Sequence, residues 1–305
     1  MRNMKISLLS FFTIIFCFHL DAQEEFLLNL KKDRTYCVST SNVVTIIQEL
    51  DGNQVKAINT EKGSFCYKVL ADLDSLYLVE TVFNHFSLHV ESAETSSFFS
   101  SDKNEHSDVM STILHGILNK PFKVWMRKDY SWKKVEGLDS VWWKSFAQFN
   151  LADDVKRQLD TVVREMLSAF TNNDQNLTSV LYGFKKVNPG EVWTTTTFAE
   201  HVVPTYDSCS YYLAETTGDL LQLKGSGVVS STKKETTDQG ITTSYELKGT
   251  TVTHVTYSKN SFWISYGTVK TEISGNSKSK DVKTGVVSLI PTRIITEGLV
   301  TGKEL

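Results

Sequence analysis

Apolar and polar residues alternate along much of the first part of the chain, which is the pattern of a strand with one buried face. In residues 36–50, Tyr36, Val38 and Ile46 share one parity, and Asp51-Gly52-Asn53 follows as a turn. The same alternation continues to about residue 90. It predicts an antiparallel β region that begins with a hairpin.

Two short elements are expected before the pattern changes. Residues Val109 to Leu118 have helical spacing, with Ser107 as a candidate N-cap. Lys120–Arg127 and Trp132–Val135 then resemble the two strands of a hairpin.

After Gly137 the apolar residues recur every three or four positions, as on an amphipathic helix. One helix is predicted from Leu138 to Phe149, and Asn150 offers an N-cap for a second that continues through Phe170. A shorter helix is predicted over Leu177–Tyr182. Residues 138–184 are therefore predicted to form a helical segment.

Strand patterns return at Pro189-Gly190 and persist to the end of the chain. The predicted fold class is a β-rich α+β protein, with one or two strongly curved antiparallel sheets packed against the helical segment. The predicted organisation is a signal peptide over 1–22, an N-terminal β region over 23–137, the helical segment over 138–184 and a C-terminal β region over 185–305.

The first 22 residues have the features of a secretory signal. Arg2 and Lys5 precede an apolar run from Ile6 to Phe18, thirteen residues that are too short to span a bilayer. Cleavage is expected after Ala22; an uncleaved N-terminal anchor is the alternative, because Leu20 is larger than the residue usual at that place. We expect an exported protein, periplasmic or extracellular, with no transmembrane helix after signal cleavage.

Composition and charge narrow the choice of partners. Apolar residues make up 40 % of the 305-residue chain and charged residues 22 %, an ordinary globular composition. The net charge of −3 gives no basic surface for nucleic acid, which is therefore not an expected partner.

Three cysteines follow the signal: Cys37, Cys66 and Cys209. Their wide spacing argues against a zinc site, which needs clustered ligand pairs. Cys37 and Cys66 are the better candidates for a disulfide, because antiparallel pairing about the turn at Asp51-Gly52-Asn53 brings them near each other. Three buried, unpaired thiols are the equally weighted alternative.

Sequence motifs for catalysis, metals and cofactors are lacking. The chain has no GxSxG, HExxH, GxGxxG, Walker or CxxC motif, and we expect no cofactor and no catalytic residue. His85 and His89 share a strand face, but strand positions four apart are about 13 Å apart, too far for one metal ion. His201 and His254 lie in strand-rich sequence and offer only a weak basis for a hydrolase.

The helix predicted over Leu138–Phe149 carries more aromatic side chains than a thin core needs. They are Trp142, Trp143, Phe146 and Phe149. A buried core role is the default, but adjacent helix positions point about 100° apart. One of Trp142 and Trp143 could therefore face a ligand, and these four residues are the candidate ligand-binding residues.

Several short motifs support a family resemblance. They are Leu28-Asn29-Leu30-Lys31-Lys32-Asp33 with Tyr36, Tyr67-Lys68-Val69-Leu70, Asn119-Lys120-Pro121-Phe122, Val135-Glu136-Gly137-Leu138-Asp139, and Pro189-Gly190 with Trp193. With them the chain resembles a family of exported bacterial proteins of unknown function, in which two β regions flank a helical middle. Asp33 departs from the glycine more typical of such a turn. The resemblance implies no established activity. At fold level only, such a layout is similar to periplasmic lipoprotein-carrier proteins.

The leading functional hypothesis is a non-catalytic envelope protein that binds an apolar or amphiphilic ligand, such as a lipid, between curved sheet and helices. The alternative is a structural or protein-interaction module of the cell envelope, whose Thr-rich strands dock an envelope protein by edge pairing. A hydrolase ranks last.

Overall fold

A computed structural model describes residues 27–305, except 105–107, 148, 150–151, 158–159, 162–189, 200–202, 233 and 239. All strands within this part belong to one sheet, and they are antiparallel to their neighbours. The N-terminal strands are β1 (Thr35–Leu50), β2 (Asn53–Leu73), β3 (Leu76–Glu91), β4 (Ser96–Ser100), β5 (Phe122–Arg127) and β6 (Trp132–Glu136). The C-terminal strands are β7 (Val192–Ala199), β8 (Thr205–Thr217), β9 (Leu220–Ser231), β10 (Thr236–Asp238), β11 (Ile241–Ser258), β12 (Ile264–Asp281) and β13 (Val287–Glu304). Two helices, α1 (Val109–Ile117) and α2 (Leu138–Phe146), are described in full.

The predicted fold class, α+β, is wrong, because the protein is mostly β and built on a single 13-stranded sheet. Strands such as β2, with 21 residues, are several times longer than an average strand. Within the described residues, strands supply most of the buried core and the helices a smaller part. Of the predicted helical segment, α2 and the helical residues 153–157 are described, and residues 162–184 lie outside the described part.

The order of the strands explains how both β regions join. Along the sheet the order is β6-β5-β3-β2-β1-β13-β12-β11-β9-β8-β7, with β4 against β3 and β10 against β11. The first and last strands are therefore neighbours, with Tyr36 opposite Glu304. The Leu305 amide donates to the Thr35 carbonyl at 2.8 Å. The two β regions form one continuous sheet through this pair.

One side of the sheet, the inner face, carries the buried side chains. Trp263, 1 % exposed, is at the centre of an aromatic core, with its ring centroid 5.4–5.7 Å from those of Tyr36, Tyr67 and Tyr130. Tyr257 on β11 is buried in the same cluster. Because these residues come from both halves of the chain, the sheet curls around the aromatic core.

Helix α1 adds to this core. Ile113, Leu114 and Ile117 are buried in the same cluster as the aromatic residues. The predicted helix is confirmed, but its N-cap is Asp108, whose carboxylate accepts from the Ser111 amide at 3.0 Å. The hairpin predicted around residue 129 is confirmed as β5 and β6.

Close approach of neighbouring strands requires glycine at several inner-face positions. A Cβ on Gly249 would collide with the Glu272 carbonyl oxygen, and one on Gly227 would collide with the Ser208 carbonyl oxygen. Both contacts are with backbone, which cannot move aside cheaply. Glycine at these positions therefore permits the strong coiling of the sheet.

A disulfide joins β1 to β2. Cys37 lies directly opposite Cys66 in the antiparallel ladder, and their sulfur atoms are 2.03 Å apart. Cys209 is free and buried. Within the described ranges, no helix is both long and apolar enough to cross a membrane.

Candidate functional site: the inner face beyond the aromatic core

Away from the aromatic core, the inner face is organised in rows of residues that oppose each other across neighbouring strands. One row, here called the aliphatic row, contains Ala57, Ile46, Ile294 and Ile273 on β2, β1, β13 and β12. Ile273 and Ile294 are buried, and Ile46 packs against them. This row is a continuous apolar strip across four strands.

The row nearer the aromatic core is polar at its β2 end. Glu61 lies opposite Asn42 on β1 and Leu88 on β3. Asn59, two residues before Glu61 on the same face, lies opposite Val44. Successive same-face residues on a strand are about 6.6–7 Å apart, so these three polar side chains are neighbours. Glu61, Asn59 and Asn42 are called the polar cluster below.

The polar cluster contains acceptors that receive no hydrogen bond from the described residues. Burial raises the pKa of the Glu61 carboxyl. Across the described part of the chain, no cation or hydrogen-bond donor pairs with this carboxyl. The Oδ1 atom of Asn59 is buried and accepts no hydrogen bond there either. Desolvated acceptors of this kind cost free energy unless a donor reaches them.

A glycine, Gly298, lies next to the polar cluster on the inner face. Gly298 lies opposite both Asn42 and Val269. A Cβ there would come within 2.7 Å of Val269 Cγ1, and the next closest atom is Asn42 Oδ1 at 4.0 Å. The absence of a side chain at residue 298 thus leaves the polar cluster open toward the centre of the sheet.

Chemically, the site combines a hydrogen-bond-accepting cluster with a neighbouring aliphatic strip. Ile46 lies on the inner side of β1, four residues from Asn42, so β1 contributes a residue to the polar cluster and a residue to the aliphatic row. Such a surface suits a molecule with a donor-bearing polar group and an apolar portion.

The three sequence-derived aromatic candidates whose side chains are described do not line a common opening. Phe146 is buried in the aromatic core and Phe149 packs against that core, whereas Trp143 is 48 % exposed. The side chain of Trp142 lies outside the described part. Their role in ligand binding stays a prediction.

Sequence reasoning missed the polar cluster, although a signal was present. Asn59 and Glu61 share the parity of Phe65, which is buried. A register shift between Ser64 and Phe65 interrupts the pairing with β3 at this point. The extra residue at this shift, Asn84, is on β3, so the parity of β2 is unbroken and it places Asn59 and Glu61 on the inner face.

On the opposite, outer face, His85 joins two hydrogen-bonding partners. Its Nε2 atom is 3.3 Å from Ser87 Oγ and its Nδ1 atom is 3.2 Å from Asp102 Oδ1. These are the residue types of a Ser-His-Asp triad. Ser87 is only 6 % exposed, and the contacts tie the turn after β4 to β3.

Of the two histidines considered for a hydrolase, only His254 is described. His254 lies opposite Thr268 and Lys224 on the outer face, and His201 lies outside the described residues. Where the structure describes the chain, no group of three or more His, Cys, Asp and Glu side chains could hold a metal ion.

Comparison with known proteins gives a family but no curated relative. Residues 74–264 match the model of DUF6263, a family of unknown function. A search of curated protein sequences finds no match.

Among solved structures the chain is similar to lipovitellin, at 8 % identity and a TM-score of 0.46. That alignment covers 91 % of this chain but only 26 % of lipovitellin, so the chain spans about a quarter of its length. An outer membrane channel from Pseudomonas putida F1 aligns at 8 % identity over 91 % of this chain and 98 % of its own, with a TM-score of 0.24. A DUF1329 family protein from Desulfovibrio piger ATCC 29098 aligns at 10 % identity over 90 % and 85 %, with a TM-score of 0.18. These likenesses are too weak to indicate a function.

Proposed function

We propose a function for this chain from its own residues, because it belongs to the DUF6263 family, a family of unknown function. The protein is a non-catalytic exported protein of the cell envelope that binds an amphiphilic ligand on the inner face of its sheet. The match to this family confirms the predicted resemblance to a family of unknown function. The ligand is placed on the sheet itself rather than between sheet and helices, because Phe146 and Phe149 pack in the core.

The observation that carries this proposal is the position of the polar cluster beside the aliphatic row. An apolar ligand alone would leave the acceptors of Glu61 and Asn59 desolvated and unpaired, while a wholly polar ligand would leave Ile46 exposed. An amphiphile satisfies both parts of the surface. The proposed location in the envelope rests on the signal-like residues 1–22.

The test is native mass spectrometry of the full chain, exported by its own host and purified without detergent. We expect a discrete additional mass that extracts into organic solvent. A protein that carries no such mass and takes up no envelope lipid when mixed with it would contradict the proposal.

A pair of adjacent isoleucines provides a matched control for the binding surface. Ile46 lies in the aliphatic row, whereas Ile47 is on the outer face opposite Arg293. We expect Ile46→Asn to reduce uptake of a fluorescent alkyl probe and Ile47→Asn to leave uptake near the wild-type level. Equal effects of the two substitutions would place the ligand elsewhere.

A second candidate function, a protein-interaction module, is favoured by the edge strand β7. Among the described strands it pairs with β8 alone, and it exposes Val192 and Phe198. An open edge can accept a strand from another protein. Recovery of one stoichiometric envelope protein, lost when Thr195→Pro disrupts β7, would support this function in place of ligand binding.

Hydrolysis has the Asp102–His85–Ser87 arrangement in its favour. The small exposed area of Ser87 counts against it, since a nucleophile must reach its substrate. Labelling of the protein by a fluorophosphonate, abolished in Ser87→Ala, would support hydrolysis; we expect no labelling.

A further inference from the structure

We propose that the polar cluster of Glu61, Asn59 and Asn42 binds the ammonium group of an amine-bearing amphiphile, so that the protein selects cationic primary amines over anionic and neutral head groups. This inference rests on the proposed function and specifies its ligand class.

The charge of Glu61 is the first argument. On the outer face, the carboxylates of Glu272 and Glu297 are matched by Arg293 at 2.8 Å and Lys270 at 2.9 Å. No such cation accompanies Glu61 among the residues that the structure describes. An ammonium group supplies the missing positive charge, and an anionic head group would be repelled.

The surroundings of Glu61 make its charge effective. The opposed residue of β3 is Leu88, whose own partner on β4 is Phe99, and the opposed residue of β1 is Asn42. None of these neighbours titrates, so no adjacent group in the part of the chain that the structure describes competes for the charge. In this partly desolvated setting an ion pair is stronger than at an exposed position.

The hydrogen-bonding capacity of the cluster selects a primary amine. An ammonium group offers three donors and no acceptor. Glu61 and Asn59 offer acceptors that receive no hydrogen bond within the described structure, and Asn42 adds a carbonyl oxygen beside Gly298. A quaternary ammonium carries the same charge but no donor, so it should bind less tightly.

The aliphatic row fixes where the apolar part of the ligand lies. It begins one row beyond Asn59 and crosses to Ile273 on β12. With neighbouring strands about 4.8 Å apart, the four positions span roughly 14 Å. Ile294 and Ile273 are buried, whereas Ala57 and Ile46 are only half-buried. The alkyl chain therefore lies against Ala57 and Ile46 while its amine remains at the polar cluster.

The experiment compares probes that share a twelve-carbon chain: dodecylammonium, dodecyltrimethylammonium, dodecanol and dodecanoate. Binding to the full chain is measured by isothermal titration calorimetry, below the micellar concentration of the three ionic probes and below the solubility limit of dodecanol. We expect dodecylammonium to bind at least about tenfold more tightly than dodecanoate, which corresponds to ~1.4 kcal/mol. Dodecyltrimethylammonium and dodecanol should lie between them.

Glu61→Gln removes the charge with little change in shape and should abolish the preference for dodecylammonium. Glu91→Gln, on the outer face of β3, is the matched control and should retain it. If circular dichroism shows that the Glu61 variant does not fold, Asn42→Leu tests the same cluster from β1. This substitution should weaken the binding of dodecylammonium more than the binding of dodecanol.

The pH dependence gives a second readout. Protonation of Glu61 at acid pH should lower the affinity for dodecylammonium and leave that for dodecanol unchanged.

Two failures are distinguishable. If all four probes bind with similar affinity, or if Glu61→Gln keeps the preference, the amine inference is wrong and the amphiphile proposal stands. If no probe binds the wild-type chain, the proposed function itself is wrong.

Discussion

At the scale of single residues, Trp263 shows how position decides the contribution of a side chain. Its ring lies among Tyr36, Tyr67 and Tyr130, and its Nε1 atom donates to the Cys37 carbonyl at 3.2 Å. Trp143 is the same residue type but is half exposed, against Phe146. Buried aromatic area and a satisfied indole N–H stabilise the folded state only in the first case.

We therefore expect Trp263→Ala to lower the free energy of unfolding by about 3–5 kcal/mol, the usual cost of removing a large buried aromatic side chain. Trp143→Ala should change it by less than about 1 kcal/mol. Urea denaturation followed by far-ultraviolet circular dichroism measures both. Similar losses in the two variants would contradict the central place given to Trp263.

A second residue-scale prediction concerns Glu61. Because burial raises the pKa of its carboxyl in the folded protein, the ionised form is disfavoured relative to the unfolded chain. Its contribution is therefore most favourable at acid pH and is lost as the pH rises through the folded-state pKa.

Glu61→Gln should accordingly be more stable than the wild type at neutral pH, and the difference should disappear at acid pH. Unfolding free energies measured across this pH range in the absence of ligand test the prediction. A variant less stable than the wild type at neutral pH would mean that the charge is compensated.

At the scale of elements, the hairpin of β1 and β2 is the unit most completely defined by its own sequence. Asp51 and Gly52 both have positive φ, at 51° and 77°, as the tight turn between the strands requires. The Cys37–Cys66 disulfide closes the opposite end of the same hairpin. The hairpin is held at both ends, by turn geometry and by a covalent bond.

Loss of the disulfide in Cys37→Ala/Cys66→Ala should destabilise the protein by about 3–4 kcal/mol, the value that chain entropy gives for a sequence separation of 29 residues. Denaturation with and without reductant measures the effect. The wild type should become sensitive to reductant and the double variant should not. Cys209→Ala, at the free cysteine, should keep the wild-type response.

At the scale of the whole molecule, the sheet depends on the meeting of its two ends. β13 lies between β1 and β12, and it is therefore the link between the N-terminal and C-terminal strands. Residues such as Val44 and Thr296 are opposed across this junction although they are distant in the sequence. Contacts of such long range form late and slowly during folding.

A chain that ends at Gly285, before β13, should fail to form the folded sheet. It should show no cooperative thermal transition, because β1 and β12 would both become unpaired edges. A peptide of residues 287–305 added during refolding should restore part of the transition. A truncated chain that unfolds as cooperatively as the wild type would show that the two halves are independent.

Features set by residues close together in the sequence could be predicted, whereas features set by pairing between distant segments could not. The turn after Leu50 and helix α1 follow from local signals, and both are observed. The fold class was mispredicted, since helical periodicity shows that a helix forms but not how much of the core it covers. The polar cluster was missed because the parity of Glu61 does not show that Asn42 lies beside it, which depends on the register of β1 against β2.

By itself the sequence determined the local conformations: where strands alternate, where Asp51 and Gly52 reverse the chain, and which cysteines could meet across a hairpin. These depend on backbone sterics and on periodicity within a few residues. Only the tertiary structure decided that β1 pairs with β13, that Trp263 lies in the core, and that Asn42 joins Glu61 and Asn59 beside the aliphatic row. Those arrangements require pairing between distant segments, and alternation within a strand does not specify its partner or which face is buried.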